Sequence, residues 1–264
     1  TEAALAPVAG LLAEDGWVVS LQNGLEEYKI AAKVGAARTI GAYLTFGGHY
    51  RGPGDIVYGG PGSFRLGELD GQSTARVREL RDILECVQPV QVTDNIFGFL
   101  WAKMALGAVY FATALVSADV PDIYANAACR EMLGSLAAEV VAVAAARGVR
   151  VEECDGFDPK VFRIGRPGDP AAMAASWDGQ FRYWSGHGGT RTGVWRDLAQ
   201  HHRPTEVEEQ VGTVVRMGET SGTEVPRLRV LVRMIHEVEE ARRQLGWHNL
   251  DELVALDRAL AATA

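Results

Sequence analysis

Residues 96–116, IFGFLWAKMALGAVYFATALV, form a long apolar run with a single charge, Lys103. An ammonium buried without a partner costs several kcal/mol. Lys103 therefore either snorkels to water or is aimed into a cleft where it has chemistry to do. The run is long enough to span a bilayer. A membrane span fits poorly, because Lys103 sits near the middle, Gly107 weakens the helix and flanking charge is missing. The stretch is expected to be a buried helix over 96–116, and it divides the chain into two styles of sequence.

Before it, over residues 1–95, short strands alternate with glycine-rich turns. A helix is expected at 5–14 and a buried strand at 17–22 (WVVSLQ), ending at Asn23-Gly24. A second strand is expected at 39–46. Turns fill 47–71, with weak strands near 55–58 and 63–68. Val77, Leu80, Ile83 and Leu84 recur at helical spacing within 73–86, and a last strand follows at 90–93. After the run everything reads as helix or loop. A long alanine-rich helix is expected over 121–147 with Gly148 as its C-cap. A proline-bearing loop is expected over 152–193, and helices over 204–221, 226–245 and 250–262. The fold class is α/β, an α/β portion (1–95) followed by an all-α domain (96–264).

The chain has 264 residues, 47% hydrophobic and 23% charged, with a net charge of −8. That composition supports a real core and disfavours nucleic acid or an anionic membrane as partner, since both call for a basic face. Cys86, Cys129 and Cys154 stand far apart and read as reduced thiols, with neither a disulfide framework nor a zinc site. The opening TEAALAPVAGLLAEDG has no basic n-region, so a cytoplasmic protein is expected. No G-x-G-x-x-G, P-loop, H-E-x-x-H or G-x-S-x-G occurs. The runs Gly59-Gly60-Pro61-Gly62 and Gly186-His187-Gly188-Gly189 lack the third glycine and do not join a strand to a helix. No metal site is expected.

Three segments carry chemistry. The strand ending in Asn23-Gly24 presents an amide at a sheet's carboxyl edge, where small ligands bind in open α/β folds, although Asn-Gly is also an ordinary turn. The second segment is the Lys103 helix. The third, 193–212 (GVWRDLAQHHRPTEVEEQVG), puts Glu206 in the expected first turn of a helix. A carboxylate is favoured there by the dipole alone, and Glu208 and Glu209 fit that plain role.

Together these segments resemble the ketopantoate reductases, also called 2-dehydropantoate 2-reductases. Gln22-Asn23-Gly24 resembles the family's L-x-N-G turn and Trp101–Met104 its W-x-K-L segment. Arg203–Glu206 with Gly222–Pro226 resembles its C-terminal signature, and Trp195–Leu198 (WRDL) the run before it. The resemblance implies a Rossmann-type domain, a helical domain like the C-terminal part of 6-phosphogluconate dehydrogenase, and an active site in the cleft between them. It implies reduction of a 2-keto acid by NADPH, with Lys103 and Glu206 catalytic and Lys103 the general acid. Asn23, Gly107, Phe111, Trp195 and Asp197 would bind substrate, and Asn23, Gly24 and Glu206 the cofactor. A homodimer is also implied.

Hydride addition to a ketone creates an alkoxide that a nearby ammonium can stabilise and protonate. Two departures stand out. Residue 1 falls well inside the family's nucleotide domain, so the glycine turn is expected to lie outside these 264 residues. The family's asparagines one and two turns after the lysine are here Gly107 and Phe111. Two other readings are a non-catalytic dimerising helical protein and another two-domain hydroxyacid or opine-type dehydrogenase.

Overall fold

The computed structural model describes residues 1–60, 62–165, 168–186 and 190–263. Pro61, Pro167 and residues 187–189, which belong to the glycine runs and the proline loop named above, lie outside it. The chain divides into two compact units, Thr1–Leu100 and Trp101–Ala264.

The first unit contains α1 (Glu2–Val8), β1 (Val18–Val19), α2 (Glu26–Val34), β2 (Thr39–Leu44), β3 (Gly48–Gly52), β4 (Asp55–Tyr58), β5 (Phe64–Glu68), α3 (Ala75–Leu84) and β6 (Gln91–Val92). One sheet runs β1-β2-β5-β6 and a separate hairpin pairs β3 with β4. The outer pairs β1/β2 and β5/β6 are parallel, and the central pair β2/β5 is antiparallel. β2 and β5 are joined through the β3/β4 hairpin with no crossover helix, as suits an antiparallel pair, and the bond from Thr45 N to the Ser63 carbonyl extends their pairing toward that hairpin. Ile40, Ala42, Phe64 and Leu66 from the central strands pack with Val77 and Leu80 of α3, whose N-cap Thr74 accepts from Val77 N.

Gly41 and Gly67 face each other in that pair. A Cβ on Gly41 would lie 2.8 Å from Ile96, and one on Gly67 3.0 Å from Ile96 and 2.7 Å from the Thr93 carbonyl. The two glycines form a notch that seats the first residue of α4 (Ile96–Thr113). Phe97 stacks on Tyr28 at 4.5 Å between centroids, and the Arg65 guanidinium lies 4.3 Å over Phe99. The apolar run is thus a core helix. It is the one described helix long and apolar enough to cross a membrane, and 72% of that stretch is buried within the protein.

The second unit takes in the rest of α4, then α5 (Val120–Ala125), α6 (Ala127–Ala146), α7 (Pro170–Gly186), α8 (Gly193–Arg196), α9 (Thr213–Ser221), α10 (Pro226–Glu239) and α11 (Trp247–Ala261). Leu133, Leu136, Val140 and Val143 of α6 are completely buried. Asn249, also fully buried, donates to the carbonyls of Leu115 and Gln244 at 2.9 Å and so ties α11 to the chain just after α4.

Several expectations need correction. The helix over 121–147 is two helices, because Asn126 leaves the helical conformation and its side chain caps α6 by accepting from Ala128 N and Cys129 N. The expected loop over 152–193 contains α7. Trp177, Gln180 and Trp184 line its buried side, and Gly179 lets the Gly156 backbone approach. The helix expected from 204 starts later: Glu206 precedes a π-helical turn (Glu208–Gly212) that leads into α9. The strand at 17–22 shrinks to two residues. The helix α2 and the strand β3 were not anticipated.

Candidate functional site

Lys103 lies in the second unit on α4, half-buried between the covered residues Ala102 and Met104. The helical repeat puts Gly107 one turn on and Phe111 two turns on along the same face. The Phe111 ring is 1% exposed and therefore belongs to the core. It can shape a site beside Lys103 without presenting an open surface.

Gly107 has a particular neighbour: a Cβ there would stand 3.1 Å from Oε1 of Gln210. The other end of that carboxamide, Nε2, donates to Glu206 Oε2 at 3.0 Å, while Gln210 N donates to the Glu206 carbonyl at 3.0 Å. Gln210 thus spans from the helix turn next to Lys103 to the exposed carboxylate of Glu206. Gly107, one turn after Lys103, and Glu206 are thus linked through Gln210, a residue that sequence reasoning missed. The signal was present in the four-residue spacing of Glu206 and Gln210, which lets the side chains meet across one turn.

The segment around Glu206 is held from both flanks. Glu239 Oε1 accepts from Thr205 N and Thr205 Oγ1, both at 2.7 Å. His236 Nδ1 meets Glu239 Oε2 at 2.8 Å, and its Nε2 meets Glu208 Oε1 at 2.7 Å. Arg216 donates to Glu208 Oε2 at 2.6 Å and to the Glu208 carbonyl at 2.8 Å. The bond from His236, aided by Arg216, holds Glu208 below the usual carboxylate range. Glu208, read from sequence as plain N-terminal charge, is a structural hub.

Trp195 and Asp197, also expected at the site, have local partners of their own. Trp195 donates to Ser117 Oγ at 3.4 Å, beyond the C-terminal end of α4, with the Arg191 guanidinium 4.2 Å over its ring. Lys103 lies ten residues before the end of α4, about 15 Å along the axis at ~1.5 Å per residue. Trp195 lines a shallow pocket of about 350 Å³ with Asp119, Thr190, Arg191, Arg196 and Gln200. Asp197 pairs with Arg203 at 2.7 Å and steadies the turn where His202 takes a left-handed conformation. In the first unit, Asn23 is exposed after β1, followed by the buried Gly24 at φ +99°.

The α/β unit and the all-α unit define the class, the two-part fold of solved ketopantoate reductases and of a D-mandelate dehydrogenase. The ketopantoate reductase PanE/ApbA C-terminal family matches residues 95–239, and the ketopantoate reductase PanE/ApbA family matches residues 1–71. The chain belongs to the ketopantoate reductase family.

It is 27% identical over 236 residues to a 2-dehydropantoate 2-reductase of Archaeoglobus fulgidus, covering 88% of this chain and 72% of that protein. It is 24% identical over 238 residues to one from Streptococcus pyogenes, covering 89% and 71%. Its fold matches a D-mandelate dehydrogenase in complex with NADH (TM-score 0.74, 21% identity, 91% of this chain and 76% of that one). It also matches a ketopantoate reductase from Ralstonia eutropha JMP134 (TM-score 0.68, 24% identity, 91% and 72%).

Proposed function

We propose that the protein reduces a 2-keto acid, 2-dehydropantoate or a related carbonyl, to the 2-hydroxy acid, with Lys103 as general acid. The observation that carries this is the chain Gly107–Gln210–Glu206, which sets a carboxylate beside the turn of α4 that follows Lys103. In this reading the reduced nicotinamide, when bound, supplies hydride to the keto carbon. The Lys103 ammonium donates its proton to the carbonyl oxygen as negative charge develops there, and water then reprotonates the amine. Glu206 keeps the ammonium charged and directed. Gln210 supplies a carboxamide in the space Gly107 leaves, where the family's likeness calls for an asparagine.

NADPH is the proposed cofactor. Asn23-Gly24, uncharged and with Gly24 buried, suits the nicotinamide carboxamide. The N-terminus of α2 does not suit a pyrophosphate, because its first turn carries Glu26 and Glu27, both buried. Residues 1–95 are read as part of the nucleotide-binding domain and 96–264 as the substrate and dimerisation domain. A homodimer is proposed because the similar Staphylococcus aureus ketopantoate reductase is described as dimeric (TM-score 0.65, 18% identity, 90% of this chain and 74% of that one); sedimentation velocity tests it.

A second reading, a related hydroxyacid dehydrogenase, is favoured by the D-mandelate dehydrogenase match. One experiment separates the two: NADPH or NADH is mixed with the protein and a panel of aliphatic and aryl 2-keto acids, and loss of nicotinamide absorbance is followed. Preference for 2-dehydropantoate supports the first reading and preference for an aryl keto acid the second. Turnover with none of them refutes both.

A further inference from the structure

We propose that His236 is a positioning residue for Glu206: as an imidazolium bridging Glu208 and Glu239, it clamps both flanks of the Thr205–Glu208 segment and fixes the direction of the Glu206 carboxylate. This rests on the catalytic reading of Glu206 given above.

The argument starts from the ring. Both nitrogens of His236 stand within 2.8 Å of a carboxylate oxygen, Nδ1 at Glu239 and Nε2 at Glu208. A neutral imidazole has one N–H, so one nitrogen would turn its lone pair against a carboxylate. Only the protonated ring donates to both. Charge-assisted bonds of this kind are among the stronger ones in proteins. Each carboxylate then grips the segment beyond it. Glu239 takes both the backbone amide and the hydroxyl of Thr205, the residue just before Glu206. Glu208 lies two residues after Glu206 and opens the π-helical turn that carries Gln210.

The other charged groups nearby are Arg216 on α9, which shares Glu208, and Glu237, which pairs with Arg243 while Arg243 reaches Glu252 of α11. The hydrogen bond His236 donates to Glu208, then that to Glu239, raise His236 above its ordinary value against the effect of burial. With a raised folded value, the clamp is complete below the ordinary histidine range and is lost as pH rises through the folded pKa. The segment therefore loosens on the alkaline side.

The test is NMR on the whole chain, alongside keto-acid turnover. In the wild type, the His236 ring should titrate above ~6.5, and the Thr205 and Val207 amides and the Glu206 carboxyl carbon should shift with the same midpoint. His236→Gln should remove that titration and speed amide exchange over residues 205–212 by about tenfold. It should also lower kcat with little change in KM and flatten the alkaline fall in the pH profile. His236→Arg, permanently charged, should restore slow exchange at every pH. If His236→Gln fails to fold, the wild-type titration decides alone. Amides at 205 and 207 that ignore the His236 titration, or exchange unchanged in His236→Gln, overturn the clamp. If instead Glu206→Gln reduces substrate like the wild type, the catalytic reading of Glu206 falls, while the NMR result separately reports whether the clamp exists.

Discussion

Replacing Glu139 by alanine should strip the second unit of a support on which the candidate site depends. Glu139 is fully buried on α6. Its Oε1 accepts from Arg227 N at 3.1 Å and Arg227 Nη1 at 3.0 Å, and its Oε2 from Leu228 N at 2.9 Å. Helix α10 begins at Pro226, and no side chain at its own N-cap, Val225, covers these amides. A carboxylate from another helix therefore does the capping and also pairs the buried guanidinium. α10 in turn carries His236 and Glu239 at its far end. Breaking a buried ion pair costs about 3–5 kcal/mol, and losing a helix cap about 0.5–2 kcal/mol. Asp257, which accepts from Arg227 Nε at 2.6 Å, is unchanged by the substitution, which puts the expected loss near the lower end, about 3 kcal/mol. For domains of this size that is about 6–12 °C in Tm. Glu139→Gln keeps the shape but turns one acceptor into a donor facing other donors, so it should lose about 1–2 kcal/mol. Thermal unfolding followed by circular dichroism reads both. A Glu139→Ala protein melting within about 2 °C of the wild type would refute the reasoning.

Other outcomes follow from the same geometry. Gly179→Ala would place a Cβ 1.9 Å from the Gly156 carbonyl oxygen, backbone against backbone, and should cost about 3 kcal/mol or more in a denaturant titration. Glu68 is 4% exposed; burial raises its pKa, but the Arg76 and Thr74 hydrogen bonds outweigh that and hold it below the usual carboxylate range. Its contribution is present above the unfolded pKa and lost as pH falls through the folded one. Urea unfolding of wild type and Glu68→Gln should thus differ near neutral pH and converge in acid.

Much of the fold was legible where one signal dominated. Val77 and Leu80 announced α3, Pro226 opened α10, and the apolar run with its lone lysine marked α4. The misses have physical causes. The α7 face of Trp177, Gln180 and Trp184 was hidden by flanking prolines and by Gly179, a residue kept small by a tertiary contact with Gly156. Asn126 looked like a helical residue in an alanine-rich stretch, yet its short amide competes for backbone donors and starts a new helix. β3, rich in glycine, has little strand propensity and is held by pairing with β4.

Lys103 and Glu206 stood out in the sequence as residue types in context, and they remain the proposed catalytic pair. Gln210, His236 and Glu239 did not stand out, because their hydrogen bonds form through π-helical and tertiary geometry that local patterns do not encode. Trp195 and Asp197 were grouped with the site by order along the chain; their contacts run to Ser117, Arg191 and Arg203.

The most direct test of the account is turnover by Lys103→Ala, with NADPH and 2-dehydropantoate, in a protein whose melting temperature is checked against the wild type. Loss of a positioned general acid predicts a fall in kcat of about 10²–10⁴ with folding intact. A folded Lys103→Ala protein that reduces the keto acid at the wild-type rate would contradict it.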